Sequence, residues 1–122
     1  MQRLTFMIVE AEPAEGLSTH KLLIETAKHN VLTAYSAGEG LHMLERFPNV
    51  DAIVFDSALR DKTCEQFSNE VHKKNPNYKI IGLKHRDRPR ESHKCGYKQI
   101  FGDDPAGLLK LLEEEFGGAD KG

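Results

Sequence analysis

Five short apolar segments, each followed by residues that turn the chain or carry a helical repeat, constrain this sequence more than any other feature. Leu4-Thr5-Phe6-Met7-Ile8-Val9 is apolar and partly β-branched, so it reads as a buried strand. Polar residues and Pro13 follow at once, and Pro13 suits a first helical turn. From Pro13 to Asn30, Leu17, Leu22, Leu23, Ile24 and Ala27 recur at helical spacing, with Asn30 as a stop. Val31–Tyr35 is a second strand, and Ser36-Ala37-Gly38-Glu39 opens a second helix in the manner of a capping box. Asp51–Asp56 is a third strand that ends on a carboxylate. Cys64–Lys74 carries Phe67 and Val71 one turn apart, and Asn75-Pro76-Asn77 closes that helix. Tyr78–Leu83 is a fourth strand that leads to Lys84. In His85–Tyr97, Pro89 and a shortage of apolar residues leave room only for a short, weakly packed helix. Gln99-Ile100-Phe101 is a fifth strand, and Asp104-Pro105 starts a last helix with Leu108, Leu109, Leu111, Leu112 and Phe116 as its stripe. Strands alternating with helices predict a doubly wound parallel sheet with helices on both faces.

A chain of 122 residues is the size of one domain, expected over 1–116, with 117–122 as a disordered tail or linker remnant. The net charge of -2 argues against wrapping nucleic acid. Phe6-Met7-Ile8-Val9 is far too short for a membrane span or a signal-peptide core. Two cysteines, Cys64 and Cys95, are too few for a disulfide scaffold and fit a reducing cytoplasm.

Ligands of open parallel sheets sit at the carboxyl ends of the strands. The residues delivered there are Glu10-Ala11-Glu12, Asp56, Lys84 and Gly102-Asp103-Asp104. Glu10, Asp56, Lys84 and Asp104 are therefore expected near one another, either as a site for a hard cation with perturbed pKa values or as solvated loop charges.

Ile8-Val9-Glu10-Ala11-Glu12-Pro13 resembles the opening strand of response-regulator receiver domains, and Thr33–Leu41 resembles their second strand and helix. Asp51-Ala52-Ile53-Val54-Phe55-Asp56 is similar to the strand that presents the phosphoacceptor aspartate. The likeness runs from Leu4 to Phe116. It implies a flavodoxin-like fold with five strands in the order 2-1-3-4-5 and a non-enzymatic role in two-component signalling.

Several residues depart from that family. Receivers hold Mg²⁺ with two acidic residues after the first strand plus the phosphoacceptor, whereas this chain has Glu10-Ala11. Lys84 stands where the family has Ser or Thr, and Asp104 stands before Pro105 where it has Lys. In the loop after the phosphoacceptor, Arg60 and Cys64 hold the places of a proline and a glycine. Mg²⁺ needs near-octahedral oxygen ligation, so losing one carboxylate leaves Glu10 and Asp56 as a weak or lost Mg²⁺ site, and no cofactor is expected. Asp104 puts a negative charge where a phosphoryl group needs a cation. The favoured expectation has Lys84 pairing directly with Asp56, filling the metal's place and fixing one conformation; the other readings relocate the family's lysine or send Lys84 to solvent. Phe101 stands where receivers carry an aromatic that switches rotamer, although a lone strand phenylalanine is more often core.

The resemblance thus implies a pseudo-receiver that binds proteins: a histidine kinase, another signalling protein or an output domain. One alternative is a receiver that accepts phosphate at Asp56; another is a flavodoxin-like domain holding a small ligand, against which no glycine-rich phosphate loop follows the first strand. Lys84 to Lys98 holds six basic and two acidic residues, and Glu113-Glu114-Glu115 is acidic. In the family the surface of the fourth helix, fifth strand and fifth helix docks partners, so a bipolar face here suits a homodimer. Tyr97 alone is interleaved for base stacking, which makes nucleic acid an unpromising partner. The six histidines show no zinc spacing.

Overall fold

Strands β1 (Thr5–Val9), β2 (Asn30–Ala34), β3 (Ala52–Asp56), β4 (Ile80–Lys84) and β5 (Lys98–Phe101) form one parallel sheet in the order β2-β1-β3-β4-β5. This computed structural model describes residues 3–14, 16–86 and 96–117. The helices within those residues are α1 (Thr19–Thr26), α2 (Ala37–Arg46), α3 (Cys64–Lys74) and α4 (Pro105–Phe116). Sheet order and helix placement are those of the expected doubly wound fold. The basic stretch and short helix expected between β4 and β5 fall mostly on 87–95, outside the described residues, as does the tail from 118 onward.

Side chains alternate across a strand, and that alternation divides the core in two. Met7, Val9, Ile53 and Phe55 face Leu44 of α2 and Phe67 and Val71 of α3. Phe6, Ile8, Val54, Ile81 and Leu83 face Ile24 of α1 and Leu108 and Leu112 of α4. β1 and β3 are buried on both faces, which is why they read as continuous apolar runs. Phe55 stacks on Phe67 at 4.5 Å between ring centres, and burying such a ring stabilises the fold by about 1.5–3 kcal/mol. Gly40 lets α2 approach β1 closely: a Cβ there would stand 3.0 Å from Val9 Cγ2.

Each helix start is set by a short polar side chain. Ser18 accepts from the Lys21 amide, Ser36 from Glu39, Thr63 from Gln66 and Asp104 from Gly107. Ser18 explains one correction: α1 begins at Thr19 rather than at Pro13, and the residues before it form a loop in which Leu17 is exposed. The reciprocal capping box is made at Thr63 and Gln66. Cys64 is disulfide-bonded, although two cysteines are too few for a disulfide scaffold and fit a reducing cytoplasm. No helix among the described residues is long and apolar enough to cross a membrane.

Candidate functional site

The carboxyl ends of β1, β3 and β4 and the turn after β5 bring two carboxylates and two imidazoles together. Glu10 follows β1 and is buried. Its Oε2 accepts from the Ser18 hydroxyl at 2.5 Å, and its Oε1 stands 3.7 Å from His20 Nδ1. Ser18 thus does two jobs, capping α1 and tying that helix to the tip of β1. His20, in the first turn of α1, donates from Nε2 to the Gly102 carbonyl at 2.8 Å, which fixes the ring across to the turn after β5. The Glu10 carboxylate raises the His20 pKa above its ordinary 6.5; burial opposes this, and the Gly102 carbonyl and Asp56 reinforce it.

Asp56 ends β3 with a side chain 18% exposed. Its Oδ1 accepts from His85 Nε2 at 2.6 Å and from the Ala58 amide at 2.9 Å. The expected Lys84–Asp56 pair is not made. In the register of the sheet Asp56 lies beside Leu83, and Lys84 beside Phe101. Successive residues project to opposite faces, so Lys84 shares the face of Phe101 and is turned from that of Asp56. Its ammonium lies 4.5 Å from the centre of the Phe101 ring, and the Arg86 guanidinium 3.9 Å from the same ring. His85, one residue on, returns to the side of Asp56.

Asp104 is exposed and turns its carboxylate onto the Gly107 amide as the cap of α4. The acidic run of α4 is satisfied within the chain: His29 donates to Glu113, Lys110 stands 3.9 Å from Glu114, and Tyr97 and Lys98 both donate to Glu115. Sequence reasoning missed His20, His85 and Ser18. For His85 the available signal was parity along β4; for Ser18 it was its place as a polar residue just before a helical run.

Mg²⁺ fits this donor set poorly. Ala11 offers no side-chain oxygen, both oxygens of Glu10 face Ser18 and His20, and Asp56 Oδ1 is taken by His85. Among the described residues no cluster of three or more His, Cys, Asp or Glu side chains is placed to hold a metal ion. A cavity of about 450 Å³ opens beside Glu10, Ser18, His20, Gly102 and Asp103.

No protein-family model and no curated protein sequence matches this chain. Solved structures do. A CheY-like response regulator receiver domain protein from Methanospirillum hungatei JF-1 superposes with a TM-score of 0.75 at 24% identity, over 98% of each chain. The receiver domain of sensor histidine kinase PA1611 from Pseudomonas aeruginosa PAO1, solved with a magnesium ion in its active-site cleft, gives 0.79 at 17% identity, over 95% of this chain and 99% of that one. A receiver domain from Clostridium thermocellum gives 0.72 at 17% identity, over 92% and 95%. At these identities the likeness establishes architecture, and function has to be argued from the site: the chain has the flavodoxin-like fold of response-regulator receiver domains.

Proposed function

We propose that this chain is a receiver-like signalling module that works as a pseudo-receiver, presenting a fixed surface to protein partners rather than cycling through an aspartyl phosphate. The observation that carries this reading is the 2.6 Å hydrogen bond from His85 to Asp56. Phosphoryl transfer to an aspartate needs a cation to offset the developing charge and a free carboxylate oxygen to attack. Here an imidazole and the Ala58 amide hold one of the two oxygens, Oδ1, which ties the carboxylate to the β4 loop, and the neighbouring carboxylate, Glu10, is engaged by Ser18 and His20. Admitting Mg²⁺ would require breaking several of these contacts, at roughly 0.5–3 kcal/mol each. Every 1.4 kcal/mol is about tenfold in affinity, so each contact broken weakens the metal's hold.

Receiver-fold proteins such as the sensor-kinase receiver above belong to signalling chains, which points to a histidine kinase, another signalling protein or an output domain as the partner. A homodimer held by complementary charge gains little support, since Glu113, Glu114 and Glu115 already have partners within the chain. The deciding experiment is intact mass after incubation with Mg²⁺ and acetyl phosphate, beside the Asp56→Asn variant. No mass gain in either protein is expected. A phosphoryl-sized gain lost in Asp56→Asn would show a working receiver and overturn the reading.

A further inference from the structure

At the end of the sheet away from Asp56, the starts of β1 and β2 and the ends of α1 and α2 border an open cavity of about 710 Å³. That volume lies within the roughly 300–1,000 Å³ of small-molecule sites. Arg3, Lys28 and Arg46 line it, with Glu25 as the acid among its walls. None of the three cations makes an ion pair among the described residues. Arg3 Nε donates to the Lys28 carbonyl at 3.0 Å, and the Arg46 guanidinium lies 5.5 Å from the centre of the Phe47 ring. Lys28 takes a left-handed backbone, φ 73°, unusual for a residue with a side chain. That turn directs its carbonyl to Arg3 and so holds Arg3 at the mouth.

Cations at a helix end often do no more than offset the helix dipole, so the magnitudes matter. Two helix C-termini contribute about half a negative charge each, and Glu25 one more. Over the lining residues three full positive charges leave an excess of about one, and the nearby Asp51 carboxylate is held on the Thr5 amide at 2.8 Å. Phe47 is 43% exposed beside them, with the Arg46 guanidinium near its ring.

We propose that this cavity binds a small anion carrying a flat apolar ring, with the anionic group on Arg3, Lys28 and Arg46 and the ring against Phe47. Arginine suits both halves of such a ligand, since its guanidinium pairs with carboxylate or phosphate and stacks on rings.

The test is amide-resolved NMR of the full chain titrated to about 5 mM, a concentration that reveals millimolar affinity. The probes are adenosine monophosphate and salicylate, with uncharged adenosine and salicylamide as controls. Expected are shifts centred on Val31, Phe47 and Val50 with at least one anionic probe, several-fold weaker with its neutral counterpart. Arg46→Gln and Phe47→Ala should each weaken binding about tenfold, the scale of losing one anchoring contact. Both residues are exposed, and unchanged amide positions in β3 and β4 will show that the variants fold. No shifts with either anion, equal shifts with the neutral probes, shifts centred elsewhere, or undiminished binding in the variants would overturn the proposal.

Discussion

The imidazole of His85 donates to Asp56 across 2.6 Å, from the first residue past β4 to the last residue of β3. The two side chains are 31% and 18% exposed, so water screens the contact and its net worth is about 1 kcal/mol.

That contact should be measurable by a double-mutant cycle. His85→Ala and Asp56→Asn are each expected to destabilise the fold by about 1 kcal/mol in urea unfolding, and the double variant by less than their sum, with a coupling of at least about 0.5 kcal/mol. Strict additivity would mean that the pair does not form in solution.

Lys84 supplies the contrast. Its ammonium lies over Phe101, an interaction worth about 0.5–1 kcal/mol near a surface. Lys84→Met should therefore cost about that much and couple to Phe101→Leu. With Asp56→Asn it should be additive within about 0.3–0.5 kcal/mol, as for residues without a shared contact. A larger coupling to Asp56 would restore the direct pairing that the charge pattern suggests.

His20 makes stability depend on pH with a defined sign. Glu10, first among the causes, raises the folded pKa above 6.5, so the folded state holds the proton more tightly than the unfolded chain does. The stabilisation is complete below about pH 6.5 and is lost as pH rises through the folded value. The urea midpoint should fall as pH rises from about 6.5 through the raised folded value, and His20→Gln should flatten the part that His20 contributes. The difference between the two curves is the quantity to read. Parallel curves would remove Glu10 as an effective partner of His20.

Most of the fold was legible because buried parallel strands have to be apolar on both faces, as β1 and β3 are, and because turn residues separate them. Boundaries shifted where one side chain decided: Ser18 placed the start of α1, which apolar spacing alone had put at Pro13. The site was legible as far as position. Glu10 stands just past β1 and Asp56 ends β3, at the strand tips where they were expected. Contacts were less accessible, because charge counting pairs Lys84 with Asp56, whereas the pleat turns Lys84 to Phe101 and hands Asp56 to His85. Asp104 shows the same limit from the other side. Its negative charge reads as a lesion in a phosphoryl site, but its carboxylate is engaged as the cap of α4.

Two glycines with nearly the same backbone separate conformational strain from collision. Gly16 has φ 73° and Gly96 φ 77°, a region that costs a residue with a Cβ about 1–2 kcal/mol. Around Gly16 nothing lies within 4 Å of an added Cβ, so Gly16→Ala should cost only that conformational amount. At Gly96 the Cβ would stand 2.4 Å from the Ile80 carbonyl oxygen, and that oxygen also accepts from the Tyr97 amide at 2.7 Å as β5 begins. Backbone cannot rotate aside as a side chain can. Relieving the clash means moving Tyr97 away from Ile80, which loosens the pairing of β5 with β4. Gly96→Ala is therefore expected to destabilise by at least about 3 kcal/mol, in the range of changes that disrupt backbone and buried hydrogen bonds together. Amide exchange should speed up at Tyr97 and along Lys98–Phe101 before it does in β1 or β3. Equal losses for the two variants would mean that β5 shifts freely, and that the close approach of Gly96 to Ile80 is not what sets its register.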